Sequence, residues 1–474
     1  MEKIKAELIV VGAGPGGYSA AFYAADRGKK VILVEQDDRL GGVCLNRGCI
    51  PSKALLHAAK LISETKEFAK NGIEFGEPRI DLNKLREWKN SILLKLSQGV
   101  SMLAQRRNVQ VVRGRAYFED SKTLRVETSE GQKFYTYDHA IIAVGSKPAM
   151  PKAFDLGNPR IMTSTEALEI EDIPETLLVI GGGYIGMELG TVYSILGSKV
   201  VIAEALPNIL TGADPDLAKP VAARARKNFQ EIRVSAKVKE MATAGKKIRV
   251  VMEHDGKIKD ELYDKVLVAV GRSPNHEDLG LENTLVQLDE KGFIKVNEHQ
   301  QTDDPNIYAI GDIVGGAMLA HKATKEGRIA VEVITGESSA FEDIIIPAVV
   351  FTEPELAWCG LTEAEAKAKG ISVEISKFPW AASGRALTFD KTDGLTKLIV
   401  EPETERILGI GIVGHGAGEL IAEGVVLIEM GATVRDLAEA VHPHPTLSET
   451  LMEAAEAFYG YATHIYTRPK KTVE

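Results

Sequence analysis

The sequence predicts an α/β protein with two Rossmann-like dinucleotide-binding units followed by an α+β C-terminal domain. Three observations predict it. An apolar strand, a glycine turn, a helix and a second apolar strand occur twice, over residues 6–35 and 176–204. Two further strand-rich stretches, 109–145 and 232–271, end in IIAVG and VLVAVG. After IIIPAVVF (344–351) the chain becomes a mixed region without a third such unit. A length of 474 residues suits about three domains.

Composition narrows the class. Hydrophobic residues make up 44% and charged residues 26%, which excludes a disordered, collagenous or disulfide-stapled protein. No apolar run approaches the ~18 residues of a bilayer span, so no membrane is predicted. A net charge of −10 argues against nucleic acid as a partner, because phosphate binding needs a basic surface. The opening MEKIKAELIV runs straight into a glycine turn, without the longer apolar region and cleavage site of a signal peptide. The sequence therefore predicts a cytoplasmic protein. Its three cysteines are Cys44, Cys49 and Cys359, and a disulfide in that compartment is catalytic rather than structural.

The first repeat carries Gly12, Gly14 and Gly17, then Glu35; the second carries Gly181, Gly183 and Gly186, then Glu204. The interval from first glycine to acid is the same in both. The first glycine permits a tight turn, the second lets backbone approach a pyrophosphate, and the third lets helix and strand pack closely. The helix N-terminus stabilises the phosphate charge, and the acid accepts from ribose hydroxyls. No Lys or Arg follows Glu204 until Lys219, so the second unit predicts NAD rather than NADP.

Leu82, Leu85, Ile92, Leu96, Val100 and Leu103 recur at helical spacing and predict a helix over 80–105 with those residues on its apolar face. NIYAIGD, 306–312, reads as a buried strand ending in Gly-Asp, and amphipathic helices are predicted near 362–369, 418–430 and 449–460.

Two cysteines lie in GGVCLNRGCIPSK, 41–53, as C-x4-C. On a regular helix five residues rise ~7.5 Å, beyond the ~4.4–6.8 Å Cα separation of a disulfide. A bridge needs Cys44 in an irregular turn supplied by Gly41, Gly42 and Gly48, with Cys49 at a helix start. Two buried thiols or half a metal site are the other readings. No neighbouring Cys or His completes a zinc set, and no metal is predicted. The position just after a nucleotide-binding unit favours redox chemistry. Cys359, in AWCG, reads as a packing thiol.

These segments, with IIAVGSKP, GGGYIGMELG, VAVGR, NIYAIGD, MLAH and HPHPTLSE in the same order, closely resemble the flavoprotein disulfide reductases over essentially the whole chain. The nearest branch oxidises protein-bound dihydrolipoamide. The resemblance implies an active-site disulfide between Cys44 and Cys49, FAD in the first unit and NAD in the second. It divides the chain into a first FAD part (1–149), an NAD domain (150–275), a second FAD part (276–345) and a dimerisation domain (346–474). It further implies that Gly311 and Asp312 meet the flavin's sugar-alcohol chain, and that Lys53 and Glu188 pair beside the isoalloxazine. Ala116, Gly145, Met318, Leu319, Ala320 and His321 would add flavin-nucleotide contacts, and Val238 and Gly271 would add contacts to NAD. Without the family, Lys53 and Glu188 read as a surface lysine and a helix-dipole acid.

By the same resemblance His444 is the acid–base group and Glu449 orients it. The chemistry fits: the attacking thiol must become a thiolate, and a histidine near pKa ~6.5 is a suitable base. Thr446-Leu-Ser-Glu449 is also a capping box that would tie Glu449 to a helix start. His442 reads as structural. The family places the histidine on the partner of a homodimer, and lipoyl domains of 2-oxo-acid dehydrogenase or glycine-cleavage proteins would supply the dithiol. Mercuric and large thioredoxin reductases need a C-terminal cysteine pair, which THIYTRPKKTVE lacks, and soluble transhydrogenases lack the C-x4-C pair. Tyr184 stands where the glutathione reductase branch has a tyrosine, and Arg47 where valine is common; both depart from the dihydrolipoamide pattern. A non-catalytic docking scaffold would have lost a redox residue, and all four are present.

Overall fold

The computed structural model describes residues 3–468. The outermost ends of the first and last expected domains, and the final residues of the cysteine-free tail, lie outside that range.

The first repeat builds the centre of a seven-stranded sheet. Strand Lys3–Val11 pairs in parallel with Val31–Glu35 on one side and with Gly131–Ile142 on the other. Ile307–Ala309 returns from far along the chain to pair in parallel with Gly131–Ile142. Strands Thr123–Thr128 and Arg115–Asp120 extend the sheet as an antiparallel meander. Val31–Glu35 is buried along its whole length, and Lys3–Val11 and Gly131–Ile142 are buried where they run apolar, at Leu8–Val11 and Ala140–Ile142.

The second repeat forms a five-stranded parallel sheet around Thr176–Ile180, flanked by Lys199–Ala203 and Lys265–Val268. A three-stranded antiparallel sheet, Lys237–Ala244, Lys247–His254 and Lys257–Tyr263, packs over it. The short pair Ser146–Pro148 and Arg272–Pro274 joins the two units. The C-terminal region is a five-stranded antiparallel sheet whose strands fall between Ala348 and Gly414. Helices Ala417–Glu429 and Glu449–Tyr459 share a core with it. Cys359 is buried in that core, where burial pushes its thiol up to about 12.

The glycine logic holds in both repeats. A Cβ on Gly17 would stand 1.8 Å from the Gly12 oxygen, and one on Gly186 would stand 2.0 Å from the Gly181 oxygen. Gly12 and Gly181 have φ of +99° and +111°, and a Cβ there would strike the next strand's end at Ala143 or Ala269.

Two expectations need correction. The helix Leu82–Arg106 forms, but Leu96 and Leu103 are exposed on it, and its buried line includes Lys89, Leu93, Ser97 and Ala104. Lys89 is fully buried because its ammonium donates to the Leu168 carbonyl at 2.9 Å and pairs with Glu169. A stripe read from leucines alone misses a lysine that has an acceptor waiting inside. Secondly, Cys44 does not lie in an irregular turn. It sits within the short helix Gly42–Arg47, and the break falls at Gly48, after which Cys49 opens the helix Cys49–Phe68.

Candidate functional site

A cavity of about 600 Å³ opens along the C-terminal ends of the first sheet's strands. Its floor is the first glycine turn, with Gly12 and Gly14, and its wall carries Glu35, Ala116 and Gly145. Further along it meets Gly311, Asp312, Met318 and Ala320. It ends at Cys44, Cys49, Lys53, Tyr184 and Glu188. One elongated space thus connects a phosphate-type turn to a pair of thiols.

The turn end is shaped for a dinucleotide. Gly14 caps the helix Pro15–Asp26 without a side chain, leaving the helix N-terminus to face an anion. Nothing lies within 3.4 Å of where a Gly14 Cβ would stand. Glu35 is held by the Ala13 N–H at 2.8 Å and the Asp37 N–H at 3.0 Å, so its direction is fixed before any ribose arrives. Burial raises its carboxyl above the ordinary range despite those bonds. At the middle, Ser146 donates its hydroxyl to Asp312, and Arg272 donates to Ser146 at 2.7 Å. Gly311 donates its N–H to buried Glu326 at 2.7 Å. The sequence reading missed Ser146, Arg272 and Glu326. Ser146 lies in IIAVGSKP and Arg272 closes VAVGR, and their place in those segments was the visible signal for both.

Cys44 and Cys49 are free thiols in side-chain hydrogen-bond contact. The Cys44 S–H bond lowers Cys49 to about 7, and the Lys53 charge adds to this while burial opposes it. Cys44 moves the other way, raised first by that same bond and then by burial. The pair titrates as a unit, with the first proton leaving the Cys49 side.

Lys53 and Glu188 are not a surface lysine and a helix-dipole acid. Glu188 is 3% exposed, takes the Lys53 ammonium at 2.8 Å on one oxygen and accepts the Phe351 N–H at 3.0 Å on the other. Lys53 also lies 4.5 Å from the centre of the Phe351 ring. Phe351 is a fourth residue the sequence reading did not find. Tyr184 and Arg47 both line the cavity, and Arg47 pairs with Asp37.

The second glycine turn lies outside this cavity. Gly183 caps the helix Tyr184–Leu196 with nothing within 4 Å of its Cβ position, leaving room for a close approach of phosphate. Glu204 mirrors Glu35, accepting from Gly182 N–H at 2.6 Å and Leu206 N–H at 2.7 Å. Val238 is half-buried on the cluster beneath that turn. Gly271 has φ of +131° and open space at its Cβ position. Tyr184, Ile185 and Glu188, from the helix this turn caps, reach the first cavity, so one helix connects the two sites. Gly17, Leu319 and His321 do not line the cavity; Gly17 serves packing, and His321 bonds the Pro347 carbonyl at 2.8 Å.

His444 and Glu449 stand apart from the cysteines within the chain, outside the cavity lining. His444 Nδ1 lies 2.8 Å from Glu449 Oε1, and the Thr446 N–H donates to Glu449 Oε2 at 2.7 Å. The capping box itself does not form: the helix Glu449–Tyr459 is capped at Ser448, and only the Glu449 bond back to the Thr446 N–H is present, on the oxygen that His444 leaves free. A carboxylate only accepts, so Nδ1 carries the proton and Nε2 is left basic. Burial works to raise Glu449, but the Thr446 and His444 bonds outweigh it and its carboxyl lies below the usual range. The His444 side chain is 72% exposed, and the His444–Pro445 bond is cis. His442 bonds Glu423 and the Ala440 carbonyl, a structural tie.

Among the described residues, two groups have metal-like spacing, Glu64–Glu353–His415 and Asp214–Asp216–Glu363. Lys60 and Lys391 pair with the first, and fully buried Lys397 with the second.

Comparison with known proteins agrees with this geometry. Residues 6–327 match the pyridine nucleotide-disulphide oxidoreductase model, and residues 346–455 match the dimerisation domain of the same family. The chain is 46% identical over 467 residues to a dihydrolipoyl dehydrogenase of Vibrio cholerae, covering 98% of each. It is 46% identical over 465 residues to one of Geobacillus stearothermophilus, again covering 98% of each. Among solved structures, the Cu(II) complex of the HOCl-induced flavoprotein disulfide reductase RclA from Escherichia coli superposes with a TM-score of 0.86 at 29% identity, covering 96% of this chain and 99% of that one. Among the described residues no helix is long and apolar enough to cross a membrane. By its matched models, its relatives and its fold, the chain belongs to the pyridine nucleotide-disulphide oxidoreductase family.

Proposed function

We propose that the protein is an NAD-dependent dihydrolipoyl dehydrogenase that works as a cytoplasmic homodimer. Its dithiol substrate would be carried on the lipoyl domains of 2-oxo-acid dehydrogenase or glycine-cleavage proteins. The observation that carries the reading is that Cys44 and Cys49 line one cavity together with the first glycine turn, Glu35, Gly311 and Asp312. The full-length likeness to dihydrolipoyl dehydrogenases supports it.

Gly12, Gly14, Glu35, Gly311 and Asp312 would hold FAD, with the Lys53–Glu188 pair at its flavin end. Gly181, Gly183, Gly186 and Glu204 would hold NAD. When bound, FAD supplies a two-electron carrier between dithiol and nicotinamide.

The protein residues do the rest. His444 Nε2 takes a proton from one substrate thiol, and Glu449 stabilises the imidazolium and fixes its orientation. The thiolate attacks Cys44 of the oxidised pair; the S–S bond breaks and Cys49 leaves as a thiolate. The second substrate thiol then gives up its proton, displaces Cys44 and closes lipoamide; Cys44 leaves as a thiolate and takes that proton, so the substrate loses the electron pair that the cysteines gain. The Lys53 charge favours the Cys49 thiolate and so eases its departure.

Tyr184 favours a second reading, a glutathione reductase-like activity, because it lines the cavity beside Glu188. Parallel assays decide between them. Dihydrolipoamide with NAD+ should turn over far faster than NADH or NADPH with glutathione disulfide. Faster turnover of glutathione disulfide would reject the first reading.

A further inference from the structure

Arg47 closes the short helix that carries Cys44, and it stands where the resembling family commonly has valine. Its guanidinium pairs with the carboxylate of Asp37, two residues beyond the acid that faces the ribose position. Both residues line the cavity, so the pair ties the redox helix to the segment after the first unit's second strand.

Each anchor is itself held. The Asp37 N–H donates to Glu35 at 3.0 Å, and its carbonyl accepts from Arg113 at 3.0 Å. On the other side, Asn46 donates to the Leu40 and Gly42 carbonyls at 3.2 and 3.1 Å, fixing the loop from which the Arg47 helix starts. The flexible element between two rigid anchors is the ion pair, with its side chains 40% and 31% exposed. So exposed a pair contributes little to fold stability. Joining two segments that both line the cavity, it instead resists their separation around an occupant.

We propose that Asp37 and Arg47 form an ionic strap over the nucleotide half of the cavity and slow the release of bound FAD. The proposal rests on the cavity being the FAD site. An exposed ion pair is worth up to ~1 kcal/mol, about a fivefold change in a rate. The strap acts only when both ends are present, so removing either end has the same effect.

The test is the FAD release rate of the holoprotein, followed by the gain of free-flavin fluorescence after dilution. Arg47→Val and Asp37→Asn should each release FAD about three- to fivefold faster, and the double variant no faster than either single one. About 0.5 M salt should speed release from the wild type and leave the variants unchanged. Arg47→Gln repeats the test with a polar side chain should valine disturb the helix. Unchanged rates would overturn the strap. Acceleration by the arginine changes alone would overturn it too, because Arg47 would then act as a direct contact to the diphosphate. A purified protein that binds no FAD at all would overturn the reading of the cavity, and the strap with it.

Discussion

Lys53 and Glu188 lie 135 residues apart in the chain and 2.8 Å apart in the fold. The pair joins the helix that begins at Cys49 to the helix that begins after the second glycine turn. It therefore stands where the thiol site and the two nucleotide sites meet. Its electrostatic consequence falls on Cys49, whose thiolate Lys53 helps to stabilise.

The first prediction follows from that stabilisation. In the reduced protein, iodoacetamide should alkylate the pair with a rate that rises through pH about 7, the lowered value of Cys49. Lys53→Met should move that midpoint up, so alkylation at pH 7 becomes slower. Cys44→Ala removes the larger influence, the Cys44 S–H bond, and should move it further. Cys359, buried and pushed up to about 12, should react only on unfolding. An unmoved midpoint in Lys53→Met would disprove the electrostatic role.

The second prediction concerns Glu204, whose oxygens accept the Gly182 and Leu206 N–H groups and so stay at the turn. A fixed carboxylate repels a 2′-phosphate. NADH should bleach the flavin much faster than NADPH. Glu204→Gln keeps an acceptor but removes the charge, and the ratio of the two rates should fall. A wild type reduced equally well by both nucleotides would defeat this account.

The glycine turns, the acid after each second strand and the cysteine pair were legible in the sequence because each is set by local backbone geometry. Gly17 and Gly186 are dictated by contacts within their own turns. The rest was hidden because it depends on distant partners. The Lys53–Glu188 pair came from the resemblance alone, since nothing near Glu188 points to Lys53, and nothing near Asp312 says that Ser146 and Arg272 will hold it. Lys89 misled for the same reason: its acceptor, the Leu168 carbonyl, is 79 residues away.

The third prediction concerns Glu449 and pH. Its carboxyl lies below the usual range in the folded protein, so its bonds add stability above about pH 4.3 and lose it as pH falls through the depressed native value. Wild type and Glu449→Gln should therefore differ most in urea midpoint near neutrality and converge in acid. Turnover of dihydrolipoamide should fall by ~10²-fold or more in Glu449→Gln and in His444→Ala, because base and orienter act together. A Glu449→Gln protein with near-normal turnover would leave the carboxylate only its structural bond to the Thr446 N–H.

The last prediction is that each active site is shared between two chains. Within one chain exposed His444 and its partner Glu449 do not line the cavity that holds Cys44 and Cys49. The residues around it belong to the region matched by the dimerisation domain. A twofold dimer would bring one chain's histidine to the other chain's cysteines. Complementation tests this. A Cys44→Ser homodimer and a His444→Ala homodimer should each be inactive. After the two are denatured together and refolded, random pairing makes about half the dimers mixed. In a mixed dimer one site takes both defects and the other takes neither. Activity should then return to about a quarter of the wild-type value. If cysteines and histidine served the same chain, every site in a mixed dimer would keep one defect and no activity would return. Mixed dimers shown by mass difference, yet inactive, would therefore reject the shared site.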